Sequence, residues 1–329
     1  MKIAIIGTGV YSTALTYQLQ KQKENDIYLW TEQPILVNKF NRFHKFDFLS
    51  KKIKFDSNVF LTAEIEEALQ DASVIFILTS SKYFLEILTT IKPHYKKNVP
   101  IFVGTKGMNL EKNQFFSELT RKYLKCNSYT FFSGPTFAND LLGNAPFHLT
   151  FAGSNKIGYQ KISRIFPTNL KAEYTNNLNG LELLATLKNI YAIGSGILAG
   201  EKVTDSVYYG YLSELLKETS TLLKKIYNSP ETIFTYGGIG DFLLTTNSKN
   251  SRNFTLGKMI GSKDSHENIN QYLKKTTVEG YDNLKQIPLF LNTFKIKNSI
   301  LFRIYQIVFE EKEPEILYQI IEKEKNEIF

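Results

Sequence analysis

The stretch MKIAIIGTGVYS, residues 1–12, sets an unbroken apolar run against a Gly7-Thr8-Gly9 turn and then a second apolar segment, Ala14 to Leu19. A run that is apolar at every position, rather than at alternate ones, reads as a strand buried on both faces, as in parallel sheets. In that setting Gly7 permits a tight turn and Gly9 lets the backbone come close to a pyrophosphate. The helix that follows offers unpaired N–H groups and a favourable dipole to an anion. A second strand, Ile27 to Trp30, runs towards Glu32. A carboxylate about 20 residues beyond such a turn is placed to hold ribose hydroxyls. The other reading of Glu32 is a solvated surface side chain.

Outward from this opening, strand-like and helix-like runs alternate. Strands are expected at Ile3–Ile6, Ile27–Trp30, Val59–Leu61, Val74–Leu78, Ile101–Val103 and Tyr129–Phe132, with Phe147–Ala152 as a further candidate. Helices are expected between them at Pro34–Phe46, Glu64–Gln70, Tyr83–Ile91 and Lys112–Leu124. This is the pattern of an α/β, Rossmann-type doubly wound sheet. After Asn176 only helical patterns remain: one to about Glu201, then Val207–Tyr227, Glu267–Lys274, Glu279–Leu291, Ile300–Phe309 and Pro314–Glu324. Residues 1–176 therefore read as a dinucleotide-binding domain, and 177–329 as an all-α substrate domain.

Composition narrows the function classes. With 329 residues, 43% of them hydrophobic, the chain is long enough for two cores. The net charge of +8 suits anionic small substrates. Six of the basic residues fall between Lys39 and Lys54 against the single Asp47, a run that reads as a solvated face. Nucleic acid binding would call for basic residues interleaved with exposed aromatics on a recognisable module, and none is read here. A single cysteine, Cys126, excludes an internal disulfide framework and fits a reducing cytoplasm. His44, His94, His148 and His266 share no metal-ligand spacing, so no metal is expected. The N-terminus lacks the pattern of a secretion signal. Leu183 to Gly200 approaches the length of a membrane span but contains Lys188, so a helix buried in protein is the better reading.

Four polar segments interrupt this framework. Gly237 to Gly257, GGIGDFLLTTNSKNSRNFTLG, sets Asp241, Ser251, Arg252 and Asn253 among glycines and small polar residues. An arginine fork beside an asparagine suits a phosphorylated ligand; alternatively Ser251 is an ordinary N-cap in a solvated loop. Gly104-Thr105-Lys106-Gly107 and Ser133-Gly134-Pro135-Thr136 follow two of the expected strands, where ligands of such sheets bind. Each could equally be a plain turn. Lys188 is the only charged residue between Glu182 and Glu201, on a face shared with Leu181, Leu184, Ala185 and Ala192. Either it snorkels to water, or it lines a cleft where burial and a nearby cation would poise it as a general acid or base, with Asn189 as a brace.

Taken together, IGTGVYSTAL, GTKGM, SGPTFA, LKNIYAIGSGI, GIGDFLLTT with SRN, TVEG and the late VFEEKEP resemble the bacterial NAD(P)-dependent glycerol-3-phosphate dehydrogenases from end to end. The resemblance implies reversible reduction of dihydroxyacetone phosphate, a small phosphorylated three-carbon substrate, in the cytoplasm for phospholipid synthesis. It also implies a homodimer. Lys188 would be the proton donor and acceptor. Substrate contacts would fall on Lys106, Gly134, Thr136, Asp241, Ser251, Arg252 and Asn253, beside Lys188 and the Asn189 brace read from the residues. Dinucleotide contacts would fall on Val10, Tyr11, Lys106, Ala138, Arg252, Thr277 and Glu279, to which the glycine-turn reading adds Gly7, Gly9 and Glu32, and Asp241 would orient Lys188 or a substrate hydroxyl. Three departures from the family pattern stand out. Ser12 replaces a third glycine, Thr79-Ser80-Ser81 replaces a Val-Pro-Ser corner, and Thr31-Glu32 stands where many relatives carry an arginine. The last implies NAD(H) in preference to NADP(H). A related dehydrogenase acting on another phosphorylated hydroxy compound, or a catalytically silent cofactor sensor, are the alternatives.

Overall fold

The computed structural model describes residues 1–49, 53–109, 114–153 and 161–319. Strands β1 (Lys2–Ile6), β2 (Asp26–Trp30), β3 (Val59–Thr62), β4 (Val74–Ile77) and β5 (Ile101–Val103) open the chain. A small antiparallel pair follows, β6 (Met108–Asn109) with β7 (Gln114–Phe115), and then β8 (Tyr129–Ser133), β9 (Phe147–Gly153) and β10 (Leu170–Thr175). Eight of these form one sheet in the order β10-β9-β8-β5-β4-β1-β2-β3. All neighbours are parallel except β8 and β9, so the last two strands run against the rest. β1 pairs with β2 on one side and β4 on the other, Ile3 lying opposite both Ile27 and Val74. This is the doubly wound α/β sheet expected, with its strand order reversing at β1 and β4.

Side chains explain the sheet. Ile3, Ala4, Ile5 and Ile6 are fully buried although they alternate between faces, so both faces are covered. Phe76, Phe102, Phe132, Phe151 and Phe166 form one aromatic layer, with Phe76 stacked on Phe102 at 5.0 Å between ring centroids. β10 was not expected. Its sequence, Leu-Lys-Ala-Glu-Tyr-Thr, alternates around Lys171 and Glu173 because an edge strand need not be buried on both faces.

Several helix boundaries differ from expectation, each for a local reason. The helix expected over Pro34–Phe46 stops at Phe43, because His44 takes a left-handed backbone (φ 47°) and turns Phe46 into the core. The helix expected over Lys112–Leu124 begins at Phe116, since Gln114 and Phe115 pair with β6; Lys112 and Asn113 lie outside the described residues. Glu279–Leu291 is two helices, Glu279–Leu284 and Ile287–Thr293, with Pro288 in the first turn of the second, where its missing N–H costs nothing. Of Pro314–Glu324, Pro314–Leu317 forms a short 3₁₀ turn, and the stretch from 320 lies outside the described residues.

The chain divides into two compact units. Met1–Asn109, Gln114–Leu183 and Phe234–Asp241 build the first; Leu184–Ile233 and the described residues from Phe242 belong to the second. Among its described residues the second unit is helical. Its principal members lie in Leu178–Glu201, Asp205–Tyr227, Arg252–Gly261, His266–Lys275 and Ile300–Glu310. Leu178–Glu201 is long and apolar enough to cross a membrane, but 94% of its most apolar window is buried inside the protein, as befits a core helix.

Within the second unit, Leu178–Glu201 and Arg252–Gly261 pass each other at backbone contact. A Cβ on Gly257 would lie 1.9 Å from the carbonyl oxygen of Ile193, and one on Gly261 would lie 2.0 Å from that of Ile197. Only glycine admits that approach. The contacts advance in step along both helices, so the two run parallel.

Candidate active-site residues

The glycine turn after β1 is shaped by two different demands. Gly7 has φ +115°, and a Cβ there would press on the carbonyl of Leu78, so the fold itself requires glycine. Gly9 has φ −71°, and a Cβ on it would meet nothing nearer than Ser12 Oγ at 3.9 Å. The space over Gly9 is therefore open, as backbone approach by a pyrophosphate requires. The helix it begins, Val10–Leu19, has no side-chain cap, which leaves first-turn N–H groups for an anion. Ser12 does not disturb this. Its side chain is fully buried, and its hydroxyl donates to the Gly9 carbonyl at 2.9 Å beside that of Thr13 at 2.8 Å. At the end of β2, Thr31 is buried and accepts from Thr8 Oγ1 at 2.9 Å, while Glu32 is exposed.

Beyond the strand ends of the first unit, four of the expected residues meet. The Asp241 carboxylate, 2% exposed, accepts from Ser133 Oγ at 2.8 Å and pairs with Lys106 Nζ at 3.3 Å. Tyr11 Oη and Thr136 Oγ1 share a hydrogen bond of 3.1 Å, joining the glycine-turn helix to the loop after β8. Burial raises the Tyr11 phenol pKa against the pull of Lys106 and of the Thr136 hydrogen bond, so the phenol is neutral. Gly134 has a packing role as well, since a Cβ there would overlap the His148 carbonyl.

Asp241 is aimed by the segment before it. Tyr236–Gly240 is a kinked turn, with Gly238 in a non-helical conformation (φ −88°, ψ −105°). It is tied down by Gly237 N–H donating to Thr150 Oγ1 at 2.7 Å and Tyr236 N–H donating to Glu173. Thr150 lies on β9 and Glu173 on β10, so the unexpected edge strand helps hold the Asp241 segment.

The second unit gathers the others. Lys188 is buried, 4% exposed, and donates to Thr245 Oγ1 at 3.0 Å; it does not snorkel to water. Beside it runs a closed set of amide bonds. Asn253 Nδ2 donates to Asn189 Oδ1 at 3.1 Å, Asn189 Nδ2 donates to Glu279 Oε2 at 3.4 Å, and Gly280 N–H donates to Asn253 Oδ1 at 2.9 Å. Ser251 is the N-cap of Arg252–Gly261, accepting from Phe254 N–H at 3.3 Å, and this places Arg252 exposed on the first turn. Thr277 is exposed, while Ala138 belongs to the first unit, where it begins a short helix after β8. Thr245 was not singled out from the sequence. Its signal is its position four residues after Asp241, one helical turn along Asp241–Thr246. Among the described residues, no group of three or more His, Cys, Asp or Glu is arranged to hold a metal.

Comparison with known proteins accounts for both halves of the chain. The model of the NAD-dependent glycerol-3-phosphate dehydrogenase N-terminus matches residues 2–157, and that of the C-terminus matches residues 177–319. A glycerol-3-phosphate dehydrogenase [NAD(P)+] from Wolbachia of Drosophila simulans is 29% identical, with 94% of this chain and 96% of the relative covered. One from Carboxydothermus hydrogenoformans is 28% identical over 99% and 98%. The crystal structure of glycerol-3-phosphate dehydrogenase from Coxiella burnetii superposes with a TM-score of 0.87 at 25% identity, covering 97% of each chain. With both family models matched in order and relatives aligned over nearly their whole length, the chain belongs to the NAD-dependent glycerol-3-phosphate dehydrogenase family.

Proposed function

We propose that the protein interconverts dihydroxyacetone phosphate and sn-glycerol 3-phosphate in the cytoplasm, supplying glycerol phosphate for phospholipid synthesis, and that Lys188 moves the proton. The observation that carries this reading is a buried lysine held by a threonine hydroxyl beside a fixed amide network. The nicotinamide dinucleotide, when bound, would supply or accept a hydride at the substrate's C2. As C2 is reduced, its carbonyl oxygen takes a proton from Lys188, and in the reverse direction Lys188 removes it. Charge-matched donors in a desolvated setting stabilise the oxygen as its charge develops.

The remaining assignments follow from chemistry. In the second unit Arg252 and Asn253 offer donors to the phosphate, Ser251 and Asn189 complete the substrate contacts, and Arg252, Thr277 and Glu279 are assigned to the dinucleotide. In the first unit Lys106, Gly134, Thr136 and Asp241 are assigned to substrate, and Gly7, Gly9, Val10, Tyr11, Ala138 and Lys106 to the dinucleotide. Exposed Glu32 would accept from ribose hydroxyls and repel a 2′-phosphate, which favours NADH. We assign dinucleotide binding to residues 1–176 and catalysis to 177–329, and expect a homodimer.

The test is oxidation of NADH and, separately, NADPH by the purified protein with and without dihydroxyacetone phosphate. Substrate-dependent oxidation, faster with NADH, is expected. Binding of either cofactor without turnover would reject this substrate.

A further inference from the structure

The described part of the basic run that begins at Lys39 is solvated, as expected, and it also carries exposed apolar side chains. Along Pro34–Phe43, Phe40 packs into the core while Ile35, Lys39 and Arg42 share the outer face, four and seven residues apart. Ile35 is 77% exposed there, an aliphatic side chain standing among cations. The chain then reverses at His44 and presents Lys45 and Phe48 on the same segment, with Phe43 and Phe48 each more than 40% exposed. The Arg42 guanidinium lies 5.1 Å and the Lys45 ammonium 5.5 Å from the Phe43 ring centroid. The only acid within residues 34–49 is Asp47, which pairs with Lys39 and Lys45.

We infer that this face, Ile35 to Phe48, is a docking surface for anionic lipid membranes. An amphipathic helix whose outer side mixes cations with exposed apolar tips meets two requirements of a charged bilayer surface. Lys39, Arg42 and Lys45 are attracted to the headgroups, while Ile35, Phe43 and Phe48 enter the boundary between headgroups and acyl chains. Ile35 argues for lipid over nucleic acid, because an aliphatic tip neither stacks on a base nor pairs with a phosphate. Charge argues against a second copy of the chain, because a two-fold contact would set Lys39, Arg42 and Lys45 against their own counterparts. The association is peripheral and draws on none of the residues assigned to catalysis.

The test is flotation of the full-length protein with phosphatidylcholine vesicles, with and without about 30 mol% phosphatidylglycerol, at low salt and at roughly 0.5 M salt. Binding to the anionic vesicles alone, released by salt, is expected. K39E/R42E and, separately, I35N are each expected to weaken it roughly tenfold or more, with unchanged turnover in solution. No flotation at low salt overturns the inference, as does flotation that neither variant weakens. Duplex DNA binding without vesicle binding overturns it in favour of nucleic acid. A dimer dissociated by I35N, again without vesicle binding, overturns it in favour of a second copy.

Discussion

Asn253 donates its amide to Asn189 at 3.1 Å, and the two residues sit at the same level of two parallel helices whose backbones touch one turn further on, at Gly257 and Ile193. The hydrogen bond therefore depends on the glycine contact. Gly257→Ala would force the helices apart, because the neighbouring atom is a carbonyl oxygen that cannot rotate away. Overpacking of this kind costs on the order of 1–3 kcal/mol or more. Urea unfolding of the variant is expected to show that loss together with reduced turnover. Stability and turnover both near native would mean the helices part without consequence.

Lys188→Ala is expected to lower turnover by orders of magnitude while NADH binding, followed by fluorescence, stays largely intact. Thr245→Val tests the residue that holds the lysine. It removes a hydrogen bond to a charged donor, worth about 1.5–3 kcal/mol, which corresponds to a fall in kcat of roughly 10- to 100-fold if the whole bond serves the transition state. A Lys188→Ala enzyme with near-native turnover would remove Lys188 from the mechanism.

Glu32→Arg is expected to move the ratio of kcat/KM for NADH over NADPH towards NADPH by about tenfold or more, since it exchanges repulsion of a 2′-phosphate for a fork of donors. Thermal stability should change little at this exposed position. Equal efficiency with both cofactors in the native protein would sink the argument.

Glu182 yields a pH prediction. Its carboxylate is buried and accepts from Ser117 N–H at 3.0 Å, Ser117 Oγ at 2.6 Å and Tyr129 Oη at 3.0 Å. Burial outweighs these bonds and raises its pKa to about 7 from 4.5. Below 4.5 the group is protonated in both folded and unfolded chains and costs nothing. Between 4.5 and 7 the unfolded chain releases the proton while the folded one keeps it, so stability falls as pH rises, by roughly 3 kcal/mol in all. Glu182→Gln mimics the protonated form and should remove this slope. Urea unfolding at either end of the window measures it; identical pH dependence in variant and native protein would exclude Glu182 as the titrating group.

How far the sequence discloses this structure depends on which interactions are local. The central strands were legible because a strand buried on both faces must be apolar at every position, as Ile3 to Ile6 are. The edge strand Leu170–Thr175 was not, since Lys171 and Glu173 break the run. Lys188 stood out as a charge on an apolar face, but its partner did not. Two threonines adjoin, and only the phase of the helix decides that Thr245 receives the lysine while Thr246 bonds back to the Phe242 carbonyl. The Lys106–Asp241 pair joins residues 135 positions apart, and the partners of Glu182 lie 53 and 65 positions away. No local pattern records such distances.

The parallel crossing also governs where this chain can change length. One residue inserted between Asn253 and Gly257 would rotate the asparagine by about 100° relative to the glycine contact and swing it away from Asn189. The same insertion in the exposed turn at Asn228, which ends Asp205–Tyr227, leaves both helices in phase. Length variation among functional versions of this chain should therefore collect in the connections between the two helices and be absent from the short spans Asn189–Ile197 and Asn253–Gly261.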